Sequence, residues 1–223
     1  MLSITPFHSS RGCLSYLVAD EESKIAALID PSQEIDTEKY LTALREQGLS
    51  LHYILETHTH ADHISSAQDI KGATGAKIGM HHRSPSTHKD LTLVEETEIK
   101  LGSATLRVLE TPGHTDESVS FLGDNFICTG DALLIGATGR TDFQRGDSAG
   151  LYDTLWGKLM MLPDNTIVYP AHDYKGRTQT TIRDERMTNP RLSWSKDEFI
   201  TTMKNYHSEK PELFEVAIAR NSA

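Results

Sequence analysis

Residues 57–63 read THTHADH, setting His58, His60, Asp62 and His63 between the apolar stretch YIL at 53–55 and the helix-like run ISSAQDIKG at 64–72. A connection from strand to helix has no packing reason to gather three imidazoles and a carboxylate, whereas metal ions are bound by these side chains. On an extended strand end, residues two apart face the same way, so His58 and His60 are expected on one face. Asp62 and His63 follow where the chain turns into a helix predicted over 62–71. The stretch therefore predicts a fold that offers strand ends to a metal.

Working outward, SITPF (3–7), CLSYLVA (13–19), KIAALID (24–30) and HYILET (52–57) read as strands, and Asp30-Pro31 ends the third because the residue before proline avoids helical geometry. Ile35, Tyr40, Leu41 and Leu44 fall near helical spacing, predicting a helix from Ile35 to Gln47 that stops at Gly48. Downstream, IKLGSATLRVLET (99–111), SVSFLGD (118–124) and NFICTGD (125–131) read as three strands, with a tight hairpin at Gly123-Asp124-Asn125. Leu151, Leu155, Leu159 and Leu162 form a helical stripe over 147–161 before NTIVYP (165–170) returns as a strand. From Ser193 onward polar helix and irregular segments are expected. With no repeat and no Gly/Ser linker, residues 1–223 are expected to form a single α/β domain, two β-rich halves with helices outside.

The 223 residues are 37% hydrophobic and 24% charged, enough to bury a core, and carry a net charge of −10. An anionic chain without a basic run repels phosphate backbones and acidic lipid surfaces, so neither nucleic acid nor membrane is an expected partner. The N-terminus has neither the basic start nor the apolar core of a secretory signal, and no later segment reaches the ~20 apolar residues of a membrane span. Cys13 and Cys128 are too few and too far apart for a disulfide framework, and are expected as reduced, buried thiols in a cytoplasm-like compartment, an organelle matrix being the alternative.

Three further residues end or follow predicted strands beside Gly or Pro: His114 in TPGHT, Asp131 in CTGDALL and His172 in YPAHDY. Strand-end loops are where a rigid scaffold presents side chains to a site. His8, His52, His81, His82, His88 and His207 lack that context, and the stretch His81–His88 reads as a solvated loop. Spacing alone favours two metals.

The pattern H-x-H-x-D-H followed by His, Asp and His resembles the metallo-β-lactamase superfamily, which implies a four-layer αββα sandwich with the metal site at one edge of its two sheets. The runs TGDALLIGATGRTDFQRGD (129–147) and YPAHDYKGRTQTTIRDERMTNPRLS (169–193) resemble the persulfide dioxygenase family within it. That resemblance implies one Fe(2+) per chain, held by His58, His114 and Asp131 as catalytic and metal residues, with His60, Asp62, His63 and His172 around it or remaining from a second-metal site. It implies oxidation of glutathione persulfide by O2 and water to sulfite and glutathione, for which zinc, fixed in oxidation state, is unsuited. Arg140, Tyr174, Lys175 and Arg191 are the candidates for binding the glutathione carboxylates. Arg140 has an equally weighted reading as the ion-pair partner of Asp142, and Asp142 and Asp173 read as structural supports. A homodimer and a sulfurtransferase supplying persulfide are compatible partners. The competing reading is a zinc-dependent thioester hydrolase of glyoxalase II type; a non-enzymatic metal-binding module ranks below both.

Overall fold

In the computed structural model, which describes residues 1–207 and 209–223, twelve strands form two six-stranded sheets. The first takes β1 (Leu2–His8), β2 (Leu14–Asp20), β3 (Ile25–Ile29), β4 (Ser50–Leu55), β5 (Lys77–His81) and β6 (Leu91–Leu93) in that spatial order. Its first three strands are antiparallel and the rest run parallel from β3 to β6. The second contains β7 (Glu98–Leu101), β8 (Ala104–Glu110), β9 (Val119–Leu122), β10 (Phe126–Gly130), β11 (Ile167–Pro170) and β12 (Thr180–Thr181), adjacent in chain order. It is antiparallel except where β10 meets β11.

Strand periodicity decides what fills each layer. Leu14, Tyr16 and Val18 of β2 and Ala27 and Ile29 of β3 point between the sheets, meeting Leu106, Val108, Phe121 and Cys128 of the second. The alternate residues Leu17, Ala19, Ala26 and Leu28 face outward and are covered by Tyr40 and Leu44 of α1 (Thr37–Gln47) and Ile70 of α2 (Ala67–Thr74). The outer face of the second sheet packs Ile127 and Val168 on Leu151 and Leu155 of α3 (Ser148–Gly157), Ile182 of α4 (Ile182–Thr188) and Phe199 of α5 (Lys196–Lys204). Helices outside two face-to-face sheets make the expected αββα sandwich. Because both faces of β2 and β3 are covered, these strands read as unbroken apolar runs.

Several boundaries depart from the sequence reading. The first helix starts two residues later than Ile35, where the Asp36 side chain accepts the Glu38 N–H, and ends as expected at a left-handed Gly48. The helix expected from residue 62 starts only at Ala67, since residues 56–66 are irregular. IKLGSATLRVLET is two strands, β7 and β8, folded back at Gly102-Ser103. His81 is not in a solvated loop: it ends β5, is buried, and its Nε2 lies 3.0 Å from Glu110 Oε1. The polar tail holds α5 and α6 (Phe214–Ser222); Ser208 lies outside the described residues.

Candidate metal centre

The site forms where strands of both sheets end. His58 lies three residues beyond β4 of the first sheet, whereas His114, Asp131 and His172 follow β8, β10 and β11 of the second. Their approach needs room: Gly130 has φ +54, and a Cβ there would meet Thr57 Oγ1 at 2.6 Å. Only glycine combines that backbone with that contact.

His58, His114 and Asp131 each offer a ligand atom within 4.8 Å of the others. The tautomers of both imidazoles are fixed by neighbours. Thr57 Oγ1 lies 2.8 Å from Asp30 Oδ2 and 2.9 Å from His58 Nδ1. Its single proton goes to the carboxylate, so it accepts from His58 Nδ1–H. His114 Nδ1 lies 2.7 Å from the Arg140 carbonyl, an acceptor, and must donate to it. Both Nε2 lone pairs are left for a metal, the arrangement in which a second layer of hydrogen bonds orients metal ligands. Burial, then the neighbouring His60 and His114, holds His58 well below the usual imidazole range, so it is neutral as a ligand must be.

Asp131 could supply an anionic donor. Burial alone would raise its pKa, but the charge and hydrogen bond of His172, with His114 and His58, hold it well below the usual carboxylate range. His172 Nδ1 lies 2.6 Å from Asp131 Oδ1 and its Nε2 lies 2.8 Å from Asp62 Oδ2. Both neighbours accept, so both ring nitrogens donate; despite burial, the flanking Asp131 and Asp62 push this imidazole well above its usual range. Two imidazole lone pairs and one ionised carboxylate on one side of an open cleft fit a metal that keeps further positions for reactants.

The remaining members of THTHADH separate. His60 does not share a partner with His58: its Nε2 is 3.2 Å from Asp30 Oδ1 and 3.3 Å from Glu56 Oε2. Asp62, His63 and His172 gather with Cys13, whose Sγ is 3.5 Å from Asp62 Oδ2 and 3.6 Å from His63 Nδ1. The expectation of two buried free thiols stands, but Cys13 belongs to the centre; burial raises its pKa, and His172 and His63 more than reverse this. Among the described residues, both ring nitrogens of the buried His60, Nε2 despite its two nearby carboxylates, and Nε2 of His63 have no hydrogen-bond partner, as nitrogens beside a metal centre would.

A cleft of about 250 Å³ beside His114 and Asp131 is also lined by Asp62, Arg140, Tyr174 and Arg191, with Phe143 and Phe214 on its apolar wall. Tyr174 is 78% exposed and stacks at 12° on His172. Arg140 makes a bidentate pair with Asp142 at 2.6 and 2.7 Å, so the structural reading of that pair holds while the arginine still borders the cleft. Arg191 donates to the Thr138 carbonyl and hydroxyl at 2.7 and 2.8 Å and has no carboxylate partner among the described residues. Lys175 is exposed and is not among the residues lining the cleft; among the described residues only its backbone N–H is engaged, by Asp173, which also holds Arg177. Asp30, Cys13, Phe143 and Phe214 were not read as site residues in the sequence. Asp30 alone had a signal, a carboxylate at a strand end before proline.

Comparison with known proteins places the chain in a family. The profile of the metallo-beta-lactamase superfamily matches residues 10–172. The chain belongs to that superfamily, and the relatives narrow the class further. It is 40% identical to the mitochondrial persulfide dioxygenase ETHE1 of Mus musculus, over 93% of this chain and 82% of that protein. The crystal structure of ETHE1 from Myxococcus xanthus superimposes with a TM-score of 0.94 at 38% identity, covering 99% of this chain and 98% of that one. A hydroxyacylglutathione hydrolase of Rhodospirillum rubrum is 36% identical over 79% of this chain and 67% of its own length. Within the superfamily, the chain belongs to the ETHE1 persulfide dioxygenase family.

Proposed function

We propose that this protein is a mononuclear iron persulfide dioxygenase, converting glutathione persulfide, O2 and water to glutathione, sulfite and two protons. The observation that carries the reading is the pair of Nε2 lone pairs fixed by Thr57 and the Arg140 carbonyl beside an ionised Asp131. Iron(II) bound there supplies the redox chemistry toward dioxygen that zinc lacks. His58 and His114 would hold the metal as neutral donors. Asp131 is kept in place by His172, which Asp62 fixes from behind, so the carboxylate does not swing toward the cleft. Phe143 and Phe214 exclude water from the reacting sulfur, and Arg191 and Tyr174 hold the carrier at the mouth.

Arg191 is better suited than Arg140 to a substrate carboxylate, since the charge of Arg140 is already met by Asp142. Arg191→Ala is expected to raise KM for glutathione persulfide by roughly tenfold to a hundredfold, the loss of one or two hydrogen bonds to a charged group, with kcat changed far less. Steady-state oxygen uptake across persulfide concentrations measures both; an unchanged KM excludes the role.

The Cys13, Asp62, His63 and His172 donor group keeps a second reading in view, a two-metal zinc thioester hydrolase. Protein purified without oxygen distinguishes them. Bound iron with iron-dependent oxygen uptake on glutathione persulfide is the expected result. Zinc-only protein that hydrolyses S-lactoylglutathione and consumes no oxygen would sink the dioxygenase.

A further inference from the structure

Residues 56–66 carry the metal-site side chains without regular secondary structure, so their backbone polar groups need partners from elsewhere. The first half finds them close to the sheets and the cleft. Asp30 Oδ1 accepts from Thr57 N–H at 2.7 Å, the Thr57 carbonyl accepts from Val119 N–H at 2.8 Å, and Glu117 Oε1 accepts from Thr59 N–H at 2.8 Å. Gln144 Nε2 donates to the Thr59 carbonyl at 2.6 Å.

In the second half, three backbone groups are met by one distant side chain. Asn221, near the end of α6, donates from Nδ2 to the carbonyls of His60 and His63, each at 2.9 Å. Its Oδ1 accepts from Ser65 N–H, also at 2.9 Å. A primary amide can donate twice and accept at once; an aspartate of the same shape would set a carboxylate against two carbonyls, and an alanine would leave three groups unpaired. The rest of α6 is lightly anchored, with Ala217 as its buried residue and Phe214 packed on Phe143 at 4.8 Å.

The segment Asn221 holds is mechanically joined to the triad. The His60 ring is 4.2 Å from His58 and 4.3 Å from His63, and Asp62 reaches Asp131 through His172. We propose that Asn221 is a positioning residue of the metal centre, and that α6 is a strap whose far end fixes the THTHADH loop while its near end, Phe214, walls the cleft. This rests on the triad holding a metal, and on neither iron in particular nor the persulfide reaction. The two ends of the strap have separable consequences: the Asn221 end sets metal retention and the Phe214 end sets substrate affinity.

The test uses the full-length protein with Asn221→Ala, the isosteric Asn221→Asp, and Phe214→Ala. Chelator competition measures retention of Fe(II) and of Zn(II), hydrogen exchange follows residues 57–66, and thermal melting follows the metal-free fold. Both Asn221 variants should lose metal affinity by roughly tenfold to a hundredfold, as substitutions behind metal ligands do. Exchange in 57–66 should rise, and the metal-free protein should melt somewhat lower than wild type yet stay folded at the temperature of the metal assay. Phe214→Ala should keep metal affinity and raise KM for the persulfide. Wild-type metal retention in Asn221→Asp overturns the proposal, as does an equal loss of metal in Phe214→Ala. Because zinc retention is read beside iron, the strap can fail or stand whichever reaction the site performs.

Discussion

Asp131→Ala is expected to yield folded protein that retains no iron and whose oxygen uptake with glutathione persulfide is at least about a thousandfold lower. The carboxylate is the one anionic donor of the triad, and its loss also leaves His172, protonated and buried, facing Asp62 alone. Losing metal-centred stabilisation worth several kcal/mol corresponds to about three decades in rate. Asp131→Asn separates the contributions: it preserves shape and a weak oxygen donor but removes the charge that faces His172, so iron affinity should fall and the metal-free melting temperature should fall with it at neutral pH. Iron content after gel filtration, with oxygen-electrode rates, checks both variants. Full iron occupancy in Asp131→Ala would remove the residue from the ligand set.

The second large effect is on stability as well as activity. Gly113, immediately before His114, has φ +139, and a Cβ built on it would lie 2.3 Å from Leu151 Cα in α3. The nearest atoms are Leu151 Cα, Cβ and N, which no change of rotamer moves. Gly113→Ala is expected to cost about 3 kcal/mol or more, from overpacking added to a backbone geometry that alanine resists. Because relief requires α3 or the His114 loop to move, metal affinity should fall with stability. Urea denaturation of the metal-free protein measures the first and chelator competition the second; a wild-type midpoint would contradict the packing described here.

How much of this could be read in advance depended on whether a residue's partners were local. β2 and β3 were legible because two covered faces make an apolar run, and α1 because Tyr40, Leu41 and Leu44 keep helical spacing and Gly48 marks its end, although its cap at Asp36 was missed. β5 and β6 were not: Leu91–Leu93 is very short, and His81-His82 looks like a polar loop although His81 is buried against Glu110. α2 began late because the backbone before it is committed to partners outside the helix, which no propensity scale records. In the site, His58, His114 and Asp131 were marked by strand ends and by family resemblance. Cys13 looked like an ordinary buried thiol, since its neighbours Asp62 and His172 come from remote parts of the chain. Asn221 gave no local signal, its three partners lying 156 to 161 residues away.

The division of the triad between the sheets carries a mechanical consequence. His58 extends from one half of the sandwich, and His114 and Asp131 from the other, so an ion held by all three adds a cross-link to the side-chain packing and the hydrogen bonds, such as Val119 N–H to the Thr57 carbonyl, that join the layers. Anything that pries the sheets apart at that edge must also open the coordination sphere. Binding of the ion and resistance to splitting are therefore one free energy expressed in two ways, and the reaction centre is also the clasp of the fold.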